Sequence, residues 1–420
     1  MAVLAAFAAL AACVPPMVPA PLATPQPPYG YRPPPSPAAN PFPPVAAAPS
    51  GPAKIALLVP LSGPNAGLGN AILDAAQLAL FETGGDQLTL VPRDTKGAPA
   101  GAADAARSAV GDGAALILGP LLAGEVEAVK PIASDAHVNV IAFSTVTDLA
   151  GGNTYLMGFL PRQEVVREVA YARQRGIGRF AALAPNTPYG HLMTDALRDA
   201  ASSTGATVSK AAFFDPSAGD PSTAIAVLLP SGSTPPSPGP DAPGEAAAPA
   251  AAPAPPSPAV PNFDALLLPE GGAQLKQIVR KLSAAGLDSK ATRLLGSGLW
   301  DEPDIGDEPT LDGGWFAASP PEARRDFEQH YRATYGSEPP RLASLGYDAA
   351  ALAAALASGK SGPPFSREAI LNPNGFSGVD GLFRFTPDGL VQRGLAVLEV
   401  EPQGNVVVSP APTRFQDLGY

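Results

Sequence analysis

The stretch KIALLVPLSGPNAGLGNAILDAAQLAL (residues 54–80) decides the fold. Its first part is apolar on both faces, which predicts a buried strand over 54–61, stopped by Ser62-Gly63-Pro64. Ile72, Ala76, Ala79 and Leu80 then recur at helical spacing, and glycines at 84 and 85 end the predicted helix. A strand with no polar face, followed at once by a helix, is the repeating unit of a parallel sheet covered on both sides. The unit recurs along the chain. Strands are predicted at 88–94, 114–120 and 138–144, with helices at 100–113 and 125–136 between them. A helix at 162–175 opens a second series, with strands at 179–185, 206–214, 263–269 and 292–298 and helices at 190–205 and 273–287. The expected fold class is α/β, with parallel sheets covered on both sides and enough chain for two Rossmann-like lobes.

Two Pro/Ala tracts punctuate this pattern. Residues 14–52 cannot build a core and read as an extended tether, and 230–261 read as a disordered insertion decorating one surface loop. The expected division is therefore lobe 1 over 53–161 plus 294–378, and lobe 2 over 162–293 plus 379–420 with the insertion inside it. Net charge is −11 with no basic cluster, which argues against nucleic acid, whose binding rests on phosphate neutralisation. The histidines His137, His191 and His330 fall in no metal-ligand spacing. Gly375-Phe376-Ser377-Gly378 lacks the spacing of a nucleophile elbow, and neither a P-loop nor a dinucleotide fingerprint follows the first strand. The reading is of a protein with no enzymatic activity, no metal and no cofactor. The acidic run 301–309 lacks the ligand spacing of a calcium loop and reads as a solvated loop.

The N-terminal run Ala2–Ala12 is too short to span a bilayer, which needs about 20 residues, and has the length of a signal-peptide core. Leu10-Ala11-Ala12-Cys13 resembles the bacterial lipobox, which implies acylation of the sole cysteine, Cys13, and a periplasmic chain held to a bacterial membrane by lipid alone. No basic residue precedes the run, so the expectation is that Met1 is not the true start.

Several stretches resemble the leucine-type (type I) periplasmic binding proteins, in order over about 54–410, which implies two Rossmann-like lobes joined by three hinge crossings. Residues 54–80 resemble the opening strand, loop and helix; AALILGPL (114–121) and VNVIAFSTVTDL (138–149) the third and fourth strands; YGHLMTDALRDAASSTGATV (189–208) the second-lobe tyrosine motif. FDALLLPEGGAQLKQIVRKLSAAGL (263–287) and RLLGSGLWD (293–301) resemble later second-lobe segments and the crossing back. PRLASLGYDAAALAAAL (340–356) and FSGVDGLFRFTPDGLVQRGLAVLEV (376–400) resemble the late first-lobe helix and the terminal hairpin.

In open α/β sheets ligands sit beyond the carboxyl ends of the strands. Here those places are Leu61-Ser62-Gly63, Gly119-Pro120-Leu121-Leu122, Phe143-Ser144-Thr145 and, across the cleft, Thr187-Pro188-Tyr189. Trp300 reads first as a core anchor near the crossing and second as a ring lining the cleft. The resemblance makes Tyr189 the cleft tyrosine and puts Ser144, Thr145 and Thr147 in the loop that contacts a ligand carboxylate. It also implies three departures. The family's second carboxylate serine falls on Ala123, its second-lobe aromatic near Gly271 or Gly272, and its ammonium-binding acid on Gly298, with Asp301 nearby. A buried ammonium without its carboxylate costs on the order of several kcal/mol, so a standard α-amino acid is a doubtful ligand on this reading. The resemblance implies capture of a small polar, amino-acid-like ligand for an ABC permease. A second branch of the same fold, the lipoprotein activators of penicillin-binding proteins, implies instead a peptidoglycan synthase as partner, and it suits the lipidated cysteine and the tether. The tether does not decide between them.

Overall fold

The structure is a computed structural model that describes residues 51–83, 87–229, 261–359 and 363–417. Cys13, nearly all of the 14–52 tether and nearly all of the 230–261 insertion lie outside the described residues.

Lobe 1 begins with β1 (Ala53–Val59), α1 (Ala66–Thr83), β2 (Leu88–Asp94), α2 (Pro99–Gly111), β3 (Leu116–Leu118), α3 (Ala123–Asp135), β4 (Asn139–Ala142) and β5 (Thr154–Leu156). The five strands pair in parallel in the order β2-β1-β3-β4-β5. Residues Ile55 to Val59 of β1 are all buried, because helices cover both faces of the sheet. Lobe 2 follows with α4 (Pro161–Gln174), β6 (Arg179–Pro185), α5 (Pro188–Ser203), β7 (Thr207–Phe214), α6 (Ser222–Leu228), β8 (Ala265–Leu267), α7 (Gly272–Ala284), β9 (Arg293–Leu295) and β10 (Trp315–Ala318).

The chain then returns to lobe 1 for α8 (Pro321–Tyr335), α9 (Ala343–Ser358), α10 (Arg367–Ile370), β11 (Phe376–Gly378), β12 (Gly381–Phe385) and β13 (Val391–Arg393). It ends in lobe 2 with β14 (Ala396–Glu399) and β15 (Val406–Ser409), which complete a seven-stranded sheet in the order β15-β14-β10-β9-β8-β6-β7. Only the β14 and β15 pairings in that sheet are antiparallel. Two αβ lobes with three crossings are thus present, as the resemblance implied.

The lobe boundaries differ from those expected. Residues 294–319 belong to lobe 2, because β9 and β10 pair into its sheet and Leu294, Trp300 and Phe316 join its core. Residues 379–393 belong to lobe 1, because Phe383, Phe385 and Val391 pack into the core of β1, β3 and α9. The second crossing therefore falls at Ser319–Pro321 and the third between Arg393 and Ala396. The return was misplaced because segment 298–311 holds only short 3₁₀ turns, which carry no periodicity to show which sheet they serve. The 301–309 run is also not simply solvated. Asp301 is bound by Arg324, Lys276 donates to Asp304 at 2.5 Å, and buried Glu308 accepts from Arg280 at 2.6 Å.

Helix α9 is buried along most of its length and packs against α1. The helices approach closely at Gly346, where a Cβ would lie 2.2 Å from the carbonyl oxygen of Ile72. Beneath the β11–β13 ribbon Asp348, Asp380 and Arg393 are buried, and Arg341 reaches them from the hollow's edge. Asp348 accepts the Val379 N–H at 2.7 Å, Arg341 pairs with Asp380 at 2.9 Å, and Arg393 lies 3.9 Å from Asp348 while donating to the Met157 carbonyl at 2.8 Å. Burial opposes the Asp380 charge, but Arg341 and Arg393 outweigh it and hold its carboxyl below the usual range. Burial, then the neighbouring Asp380 charge, push Asp348 upward. Among the described residues no helix is long and apolar enough to cross a membrane.

Candidate functional site

A hollow of about 510 Å³ lies between the lobes, at the carboxyl ends of β1, β3 and β4 on one side and β6, β9 and β10 on the other. This is where a doubly wound sheet leaves a crevice. Its lobe 1 wall is mainly apolar: Leu68 from α1, Leu121 and Leu122 before α3, Phe143 after β4, Phe159 at the first crossing, and Leu342 and Leu345 at the start of α9. The lobe 2 wall brings Glu164, Tyr189, Gly298, Leu299 and Asp301. Five helices begin at this hollow, α1, α3, α4, α5 and α9, so their partial positive ends favour an anion within it.

Each polar group of the wall is fixed by its element. Glu164 lies in the first turn of α4, which Pro161 starts at the first crossing. Its Oε2 accepts the Gly298 N–H at 2.9 Å. Burial pushes its carboxyl up to about 7, while the Gly298 N–H and Arg341 pull it down and Asp301 pushes it further up. A Cβ on Gly298 would lie 2.8 Å from Glu164 Oε1, so glycine at 298 leaves room for this carboxyl. One turn on, Glu168 accepts the Ala317 N–H at 2.9 Å and is fully buried, which holds its carboxyl well above the ordinary range. Tyr189 starts α5 beside the N-cap Thr187 and donates its hydroxyl to Ser297 Oγ at 3.2 Å. Arg341 stacks 4.2 Å over the Phe159 ring and donates to Ser344 at 3.1 Å as well as pairing with Asp380.

The cleft brings together Leu121, Leu122, Ala123, Ser144, Thr145, Tyr189 and Gly298 of the expected site residues. Three others stand elsewhere. Ser62 is exposed and donates to Asp94 Oδ2 at 2.7 Å, because β2 ends beside it and offers that carboxylate. Thr147 is exposed in a 3₁₀ turn that leads the chain away from the hollow. Trp300 is fully buried in the lobe 2 core, its indole N–H donating to the Glu270 carbonyl at 3.0 Å. Glu164, Arg341 and Phe159 were not anticipated. The pair Glu164 and Glu168 at helical spacing beside Val165 and Val169 is the signal that could have found the first, since acids on an apolar helix face need partners. No group of three or more potential metal ligands occurs among the described residues.

Two lobes facing each other across a hollow of mixed polar and apolar lining are the arrangement of a ligand-binding protein. Residues 52–405 match the periplasmic binding protein family, and the chain belongs to that family. Its members act as substrate-binding proteins outside the cytoplasmic membrane, in agreement with the expected absence of catalysis. A search of curated protein sequences gave no match. Among solved structures, a putative branched-chain amino acid ABC transporter protein from Rhodospirillum rubrum is 20% identical, with TM-score 0.70, covering 85% of this chain and 100% of that one. A branched-chain amino acid transporter substrate-binding protein from Streptococcus pneumoniae, in complex with isoleucine, is 20% identical, with TM-score 0.56, covering 86% and 100%. An ABC-transporter solute-binding protein from R. palustris, in complex with benzoate, is 18% identical, with TM-score 0.56, covering 86% and 98%.

Proposed function

We propose that the chain captures a small carboxylate with an apolar body in the inter-lobe cleft and delivers it to an ABC permease, as a lipoprotein anchored through Cys13. The observation that carries this reading is the hollow itself. A volume of about 510 Å³ suits a ligand of amino-acid or aromatic-acid size, and its leucines and phenylalanines would cover an apolar body. Ser144 and Thr145, with the starts of α3 and α5 facing each other across the cleft, supply donors and positive potential for a carboxylate. Isoleucine and benzoate, held by two proteins of the same fold, both combine a carboxylate with an apolar body. The alternative, contact with a peptidoglycan synthase, has no feature of the hollow in its support.

The test is calorimetric and thermal titration with leucine, isoleucine, phenylalanine, benzoate and 4-methylpentanoate. A ligand at about a hundred times its Kd adds about 2.7 kcal/mol to stability, read as a rise in Tm of a few degrees. No shift and no heat with any of these would overturn the reading.

A further inference from the structure

We propose that Glu164, on the helix that leaves the first crossing, recognises a ligand ammonium, so that the cleft selects α-amino acids over the corresponding plain acids. This rests on the reading of the hollow as a site for a carboxylate with an apolar body, and it reverses the expectation drawn from Gly298.

The geometry is specific. Gly298 cannot supply a side chain, yet the space its Cβ would enter is filled by the Glu164 carboxyl, 2.8 Å away and anchored by the Gly298 N–H. The negative group expected from the strand end after β9 is thus delivered by α4 from the side. Oε1 of Glu164 has no hydrogen-bond partner among the described residues, while the residue lines the hollow. Asp301 is the other carboxylate of the wall, and Arg324 already occupies it, so it is not available to a ligand cation. Arg341 is likewise held by Asp380 and Phe159. Glu164 is therefore the acid of the wall that retains capacity for a new donor. Across from it, Leu68, Phe159 and Leu342 offer apolar surface to a ligand body.

The charged and titratable groups around Glu164 set the sign of its response to pH. They are Arg341 before α9, Asp301 after β9, Glu168 on α4 itself, and Tyr189 on α5. With the carboxyl displaced upward to about 7 by burial, it is largely protonated at pH 6 and largely ionised at pH 8. An ammonium favours the ionised form, so affinity for an amino acid rises across that interval and binding near pH 7 releases a fraction of a proton to solvent. A plain carboxylate is repelled by the ionised form, so its affinity falls across the same interval.

The experiment compares two pairs that differ only in the amino group, leucine with 4-methylpentanoate and phenylalanine with 3-phenylpropanoate, by calorimetry on the full chain at pH 6, 7 and 8. The expected result is a preference of at least ten-fold for the amino member of one pair at pH 8, shrinking toward pH 6. In Glu164→Gln the preference should fall to about two-fold or less and lose its pH dependence. Titration of the wild type in buffers of different ionisation enthalpy should show proton release with the amino member, a measurement that needs no variant. A preference that survives Glu164→Gln, or plain acids binding as tightly as their amino partners with no proton release, overturns the proposal while leaving the cleft a carboxylate site. Failure of all four compounds to bind overturns the reading on which it rests, and the proposal with it.

Discussion

Two places where the molecule draws carboxylates out of water differ in what surrounds them. Beneath the β11–β13 ribbon, Asp348 and Asp380 are sealed from solvent with Arg393 and Arg341 beside them and a backbone donor from Val379. In the cleft, Glu164 has a single backbone donor and an oxygen left over, with its arginine neighbour committed elsewhere. Charge that is balanced from within holds a structure together. Charge that is balanced only in part can take a partner from outside.

That contrast can be broken most strongly at the buried cluster. Arg393→Met would leave two buried carboxylates without their central cation, and a loss of about 3–5 kcal/mol is expected in urea unfolding. A loss below about 1 kcal/mol would mean that the cluster is neutral and structural charge balance is the wrong description. In the cleft the expected effect is smaller and of opposite sign. The folded state holds the Glu164 proton up to about 7, whereas an unfolded glutamate releases it near its ordinary value, so stability is lost as pH rises through that window. Glu164→Gln should therefore be more stable than the wild type at pH 8, by on the order of 1–2 kcal/mol after allowance for partial exposure, with the difference vanishing by about pH 4. Unfolding midpoints of the two proteins at pH 4, 6 and 8 read this directly, and the subtraction removes the like-signed contribution of Asp348.

Gly298→Ala sharpens the same point. Its Cβ meets Glu164 Oε1, so the carboxyl must swing away, and a loss of about 1 kcal/mol in affinity for an amino-acid ligand is expected, with folding little changed. The smallest effect belongs to Ser62→Ala. An exposed hydroxyl bonded to Asp94 should be worth no more than about 0.5 kcal/mol in stability, and affinity for any cleft ligand should not move.

The order of strands and helices was legible because parallel strands buried on both faces read as unbroken apolar runs, as in 54–61 and 179–185. Their ends also pointed to the hollow, and Leu121, Leu122, Ser144 and Tyr189 line it. Three-residue strands such as β5 and β9 are too short to announce themselves, and their pairing, not their composition, assigns them to a lobe. Trp300 is the core anchor of its first reading, and its second, as a ring lining the cleft, fails because an aromatic near a strand end serves core and cleft alike in one dimension. Glu164 escaped notice for a different reason. Its role depends on an empty Cβ position 134 residues away, a relation visible only once the lobes are assembled.

One further feature bears on how the two lobes can move. Gln163 bonds both the Val391 carbonyl and, at 3.0 Å, the Arg393 N–H, while Arg167 reaches the Leu395 carbonyl at 2.9 Å and Ser409 at 2.6 Å. The start of α4 is thus pinned to the third crossing at two heights, like a door leaf carried on two pintles. A pair of pins permits swing about the line joining them and resists twist and slide. The carboxyl of Glu164 rides on the same leaf, so any swing of lobe 2 carries it along an arc fixed by those bonds, and its distance from the lobe 1 wall becomes a gauge of how far the door has shut.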